Sequence, residues 1–192
     1  MQSKPAKPTF IDLALQGGEM GREDFQAGWH RCVAMLNYRS VLDVGSGLGL
    51  SKTRIPNCTT HEVIQISPDS QVDIVAPLSF IPDKSYDLVT AFDVIEHVVE
   101  DVDFLAELLR IARLAVFITT PNYNISKAAN GCHCREYTPS EFHELVHNFS
   151  SNFTYYSGTG DGTTRQIHDS PQLFLKHNLP HHAVTIYPTT PY

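Results

Sequence analysis

Apolar and polar positions along this chain follow two periods, and the switches between them mark the elements. Val41-Leu42-Asp43-Val44 is short, mostly apolar and β-branched, which predicts a strand buried on both faces. His61 to Ser67, Val72 to Val75, Tyr86 to Phe92 and Leu114 to Thr120 read as further strands. Elsewhere apolar residues recur at spacings of three and four. Phe25, Trp29, Cys32, Val33 and Leu36 give one face to a helix over Arg22–Leu36, with His30 on its solvated side. Phe104, Leu105, Leu108, Leu109 and Ile111 do so for a helix over Glu100–Arg113. Thr138 and Pro139 start a third, running to about Asn148, with Glu141 completing a capping pattern. Phe153–Tyr156 and Gln172–Lys176 read as two last strands. Strands alternating with helices predict an α/β fold: a doubly wound, mainly parallel sheet.

Two connections are short. Only Leu50 to Ile55 is free to form a helix before Pro56 stops it. Only Pro68 to Gln71 separates the second strand from the third, where a parallel crossover usually takes about 10 or more residues. The sheet therefore has trimmed helices. Tyr123 to Tyr137 is instead long and polar, the kind of loop that is usually a functional lid or disordered.

The organising stretch is Ser40–Ser51, SVLDVGSGLGLS. Gly45, Gly47 and Gly49 make a turn against which a ligand can lie, followed by the free N–H groups of a helix start. Strand, glycine turn and helix build a nucleotide-type site at the end of the first strand of such sheets. The dinucleotide pattern G-x-G-x-x-G is broken by Leu50, and a P-loop would need glycine where Ser46 and Ser51 stand.

Composition narrows the classes. At 192 residues, with 42% hydrophobic and 18% charged, the chain is an ordinary single domain. No apolar run reaches the roughly 18 residues of a membrane span, and MQSKPAKPTF lacks the apolar core of a secretory signal, so a cytoplasmic protein is expected. Four cysteines do not make a disulfide scaffold at this length. A net charge of −7 opposes a general grip on nucleic acid. Oligomeric state is not legible.

The order of segments resembles the class I S-adenosylmethionine-dependent methyltransferases over residues ~40–148. VLDVGSGLGLS resembles the family's glycine motif, SYDLVTAFDVIEHV its fourth-strand motif, FLAELLRIAR the helix that follows and VFITTPN the fifth strand. The resemblance implies a seven-stranded Rossmann-like sheet ending in an antiparallel hairpin. It divides the chain into an arm at 1–21, a methyltransferase domain at 22–178 and a tail at 179–192 that holds His181-His182. It also implies S-adenosylmethionine as cofactor, with Asp43, Gly45, Ser46 and Gly47 at its methionine half and Asp93 beside it. The chemistry agrees, since the cationic amino group suits Asp43 and the carboxylate suits turn N–H groups. The acidic residue that the family places at the end of strand two is missing. Gln65, Ser67 or Asp69 would hold the ribose instead, and Pro77 stands at a second commonly acidic place.

Methyl transfer to a hydroxyl needs a base or metal to help remove its proton. His97 and His133 are the candidates. Asp93-x-x-Glu96-His97 resembles the metal-binding E-x-x-E-H segment of ubiquinone-biosynthesis O-methyltransferases and small-RNA 3′-end 2′-O-methyltransferases. It also resembles the matching segment of metal-independent small-molecule enzymes. In the RNA enzymes a histidine precedes E-W-T, and here His133 precedes Glu136-Tyr137-Thr138. Asp93, Glu96, His97 and His133 are thus an alternative divalent-metal set. Cys132-x-Cys134 has no second cysteine pair with zinc spacing. The favoured expectation is methyl transfer to an oxygen or nitrogen of a small-molecule acceptor. The alternatives are a metal-assisted RNA 2′-O-methyltransferase and a non-catalytic domain binding cofactor or partner.

Overall fold

In the computed structural model, residues 27–34, 36–45, 51–55, 59–65, 73–159 and 165–188 are described. The expected arm at 1–21, and Ser46, Gly47, Ser67 and Asp69, lie outside them. Parallel strands β1 (Ser40–Val44), β2 (Thr60–Gln65), β3 (Ile74–Val75), β4 (Tyr86–Phe92) and β5 (Ala112–Pro121) form one half of the sheet. The other half holds β6 (Phe153–Gly158), β7 (Arg165–His168) and β8 (His181–Ile186). The order is β3-β2-β1-β4-β5-β8-β6-β7. The mainly parallel sheet anticipated from sequence is present, with short β7 added as an eighth, edge strand.

The pleat sorts side chains between two cores, because consecutive residues on a strand point to opposite faces. Val41, Leu88, Phe92, Ala115, Phe117, Tyr156 and Ala183 join Trp29, Cys32 and Val33 of helix α1 (Ala27–Val33). Leu42, Val89, Ala91, Val116, Ile118, Tyr155 and Val184 pack with α3 (Asp101–Ile111) and α5 (Pro139–His147). Every residue of β4 is buried, as its apolar sequence requires of a central strand. Helix α2 (Ser51–Arg54) is a single turn.

Helix α3 buries Leu105, Leu108 and Ile111 at spacings of three. Its acidic first turn and Arg110 in its last turn complement the helix dipole. Arg110 also binds Asp83 at 2.6 Å and the carbonyls of Ile81 and Leu78, tying down the turn before β4. Helix α5 starts with the expected capping box between Thr138 and Glu141, and Pro139 opens it.

Three expectations are corrected. Gln172–Lys176 is not a strand: Pro171–Phe174 is helix α6, capped by Ser170, whose Oγ accepts from the Leu173 N–H at 3.4 Å. Pro171 suits a first helical position, and a short apolar run does not distinguish strand from helix. The expected tail at 179–192 gives way at His181–Ile186, because β8 sits there between β5 and β6 and carries the domain past residue 178; residues 189–192 lie outside the described residues. Its alternation, half hidden by two histidines, reads correctly only when His182 is counted as buried, at 0% exposure. His30 is likewise not solvated. It is 2% exposed and meets the Phe92 ring edge-on at 4.5 Å.

Candidate active site at the carboxyl ends of the strands

β1, β4 and β5 are parallel, so their carboxyl ends share one end of the sheet. Antiparallel β8 starts there, with His181 opposite Pro121. Buried Asp43 precedes the glycine turn, and its Oδ1 accepts a hydrogen bond from Thr90 Oγ1 at 2.7 Å. Gly45 has φ +71°, and its N–H donates to the Ile64 carbonyl at 3.0 Å. A Cβ on Gly45 would stand 2.9 Å from Val94 Cγ2. Conformation and space both demand glycine there. Gln65 is the last residue of β2, in register with Val75.

Asp93 leaves β4 in the left-handed region, φ 53°, where a non-glycine residue is strained. Thr119 supports it. Its Oγ1 donates to Asp93 Oδ1 at 2.7 Å and accepts from the Asp93 N–H at 3.0 Å. His181 Nε2 lies 3.8 Å from the same carboxylate oxygen. The chain then makes one 3-10 turn, Ile95–His97. Glu96 is 1% exposed, and Thr120 Oγ1 donates to its Oε2 at 3.1 Å. Its buried Oε1 has no hydrogen-bond partner. Burial, reinforced by the charge of Asp93, pushes the Glu96 carboxyl well above the usual carboxylate range.

The long loop after β5 is neither open nor loose. Asn122 caps the single turn of α4 (Tyr123–Ser126) and binds the Leu179 and Pro180 carbonyls. Lys127 and Ala128 are both left-handed, φ 53° and 55°. The Glu136 carboxylate gathers the Ser126 hydroxyl, the Ala128 N–H at 2.9 Å and His133 Nδ1 at 2.5 Å. Tyr137 and Arg135 both bind Asp101 Oδ2, at 2.8 and 3.0 Å. The Glu96 carbonyl accepts from the Cys134 N–H at 2.7 Å and the Arg135 N–H at 3.1 Å. His97 Nδ1 lies 3.2 Å from the Cys132 carbonyl, which only accepts, so Nδ1 is the nitrogen that donates there.

These contacts bring His97 and His133 edge to face, ring centroids 4.8 Å apart. One ligand atom each from Glu96, His97 and His133 lies within 4.8 Å of the others. Two imidazoles and a carboxylate whose second oxygen is orphaned suit a divalent cation. Asp93 does not join that group. Cys132 and Cys134 are free thiols beside the cluster and not in it. His143 and His147 have the H-E-x-x-H spacing of zinc enzymes, yet among the described residues no third ligand joins them. The His143 ring is bonded to the Tyr155 hydroxyl at 2.8 Å. Sequence reasoning missed Thr119, Thr120 and His181, and noted Glu136 only as part of the segment that His133 precedes. Only the Thr-Thr pair at the end of an apolar strand hinted at polar work there.

No protein-family model and no curated protein matches the sequence. Solved structures do match. The small RNA methyltransferase HEN1 is 15% identical with TM-score 0.64, covering 100% of this chain and 27% of its own. This chain thus spans about a quarter of that enzyme's length. A Thermotoga maritima S-adenosylmethionine-dependent protein, described as a possible histamine N-methyltransferase, is 11% identical with TM-score 0.62, covering 85% of this chain and 88% of its own. The plantazolicin methyltransferase BpumL, solved with S-adenosylhomocysteine, is 14% identical with TM-score 0.57, covering 87% and 82%. At these identities the likeness is one of fold. Among the described residues no helix is long and apolar enough to cross a membrane.

Proposed function

With a class I methyltransferase fold as its premise, we propose that this protein transfers a methyl group from S-adenosylmethionine to an oxygen or nitrogen of an acceptor presented at Glu96, His97 and His133. The observation that carries the reading is the convergence of these three side chains beside Asp93, at the end of the sheet where Asp43 and Gly45 form the first turn. Asp43 would pair with the cofactor's amino group. Gly45, Ser46 and Gly47 would hold its carboxylate through backbone N–H groups. Gln65, Ser67 or Asp69 would reach the ribose, and Asp93 would stand next to the transferred methyl. Methyl transfer from a sulfonium has an excellent leaving group, so positioning supplies much of the catalysis. His97 and His133 would take up the acceptor's proton.

The preferred acceptor is a small molecule, in keeping with the net charge of −7. One observation favours the second reading, an RNA 2′-hydroxyl acceptor with a bound divalent metal: Glu96 Oε1 is buried without a partner, as a cation ligand would be in the absence of its cation. Glu96, His97 and His133 would hold that metal. It would polarise the acceptor hydroxyl as a Lewis acid.

The deciding experiment offers methyl-labelled S-adenosylmethionine with a panel of small hydroxyl and amine acceptors. The same assay is run with RNA oligonucleotides ending in 2′-hydroxyl or 2′-deoxy residues, with and without chelation. Label on a small acceptor, unaffected by chelator, supports the preferred reading. Label only on 2′-hydroxyl RNA and only with metal supports the second. Calorimetry that detects no S-adenosylmethionine binding refutes both and leaves a non-catalytic partner-binding domain.

A further inference from the structure

Within the loop after β5, three side chains fix one another's orientation. The Cys132 N–H donates to Asn130 Oδ1 at 3.0 Å. The amide nitrogen of Asn130 is therefore the end that meets His133 Nε2, 3.0 Å away. An amide nitrogen only donates, so Nε2 accepts, and the ring proton must sit on Nδ1. The other side of the ring gives the same answer independently. Nδ1 lies 2.5 Å from Glu136 Oε1, and a carboxylate only accepts.

Glu136 is itself held. Its Oε2 accepts from the Ser126 hydroxyl and the Ala128 N–H, and its side chain is 1% exposed. The left-handed Lys127 and Ala128 bring the chain round to that carboxylate, where the Ala128 N–H meets it at 2.9 Å.

We propose that Glu136 is a positioning residue for His133: its carboxylate fixes the Nδ1–H tautomer and so leaves Nε2 as the accepting atom of a ring held beside Glu96 and His97. The inference rests on reading that cluster as the methyl-transfer site. Asn130 occupies the Nε2 lone pair in this loop. Whatever His133 engages, a cation or the acceptor's hydroxyl proton, must displace the Asn130 amide.

The test is long-range proton–nitrogen correlation on the 15N-labelled full chain at about pH 8.5, above the ordinary imidazole range. His133 is assigned with a His133→Gln control. The wild type should show the Nδ1–H tautomer. Glu136→Gln should retain it, because an amide oxygen still accepts. Glu136→Leu should mix the tautomers. In a methyl-transfer assay Glu136→Leu should lower kcat about tenfold or more with little change in acceptor KM, and Glu136→Gln should fall between. A wild-type Nε2–H signal overturns the proposal whatever the variants do, so it does not depend on their folding. Retention of Nδ1–H in well-dispersed Glu136→Leu protein also overturns it. If the tautomers respond as stated but the wild type transfers no methyl group, the positioning role stands and the functional reading fails.

Discussion

Thr119 and Thr120 are neighbours on one strand, yet each takes a different carboxylate. Thr119 Oγ1 is 2.7 Å from Asp93 and Thr120 Oγ1 is 3.1 Å from Glu96. Consecutive strand residues face opposite ways. A segment that reads as one D-x-x-E-H motif is thus divided by the strand beside it, and only its Glu-His end meets His133.

The two threonines should therefore fail differently. Thr119→Val removes the support for a strained Asp93, and calorimetry should show weaker cofactor binding. Thr120→Val removes the side-chain hydrogen bond that the buried Glu96 Oε2 accepts, and denaturant melts should show a loss of about 1–3 kcal/mol. Equal cofactor affinity in both variants would argue that Asp93 does not face the cofactor.

Gly45→Ala should destabilise by about 1–2 kcal/mol from its left-handed backbone alone, with the contact at Val94 adding to that. The second effect is separable. Val94→Ala in the same chain should recover the packing part and leave the backbone part. Full recovery in the double variant would mean that φ at position 45 relaxes freely.

Cofactor binding should depend on Asp43 more than on any ribose candidate. Asp43→Ala should weaken it by tenfold or more, on the order of the strength of a charge-assisted hydrogen bond. Asp69→Ala should weaken it less, if Asp69 reaches the ribose. Unchanged affinity in Asp69→Ala would leave Gln65 and Ser67 as the ribose partners.

Acid should unfold this protein through a histidine chain. The Leu179 N–H donates to His177 Nδ1, His177 Nε2 to His182 Nδ1, and His182 Nε2 to the Tyr137 carbonyl. Burial, and then the neighbouring histidines, push His182 down to about 3 and His177 down to about 4. Both folded values lie below the unfolded one of about 6.5, so their stabilisation is complete above that pH. It is lost as the pH falls from about 6.5 toward the folded values. Melting midpoints should be flat above about pH 7 and should drop below about pH 6, with His177 and His182 together contributing about two of the protons taken up on unfolding near pH 5. His177→Gln should reduce that uptake by about one proton. A midpoint independent of pH from 7 to about 4.5 would refute the buried neutral chain.

The parallel half of the sheet was legible because its central strands declare themselves locally: Val41–Val44 and Tyr86–Phe92 are mostly apolar, and Thr138-Pro139 caps a helix by its own chemistry. The other half was not. Gln172–Lys176 carries an apolar pattern equally suited to strand and helix, and Pro171 decided it. His181-His182 looks polar, and its burial depends on partners, Tyr137 and His177, that no local pattern reveals. The site divides the same way. Asp43, Gly45, Asp93, Glu96, His97 and His133 stand in recognisable segments. Glu136 and the two threonines act through contacts made only when the loop and β5 come together.

The place of β8 bears on how the molecule is made. β5 and β6 never touch as partners; each is paired to β8, which follows both in the chain. Until Ile186 has left the ribosome, β5 has an open edge and β6 and β7 have no sheet to join. Closure of the sheet is therefore a late, long-range event, of the kind that slows folding and exposes unpaired strands meanwhile. The nascent chain would spend that interval with Val116, Phe117 and Ile118 uncovered along one side, so its dependence on chaperones should be set by the emergence of a single strand.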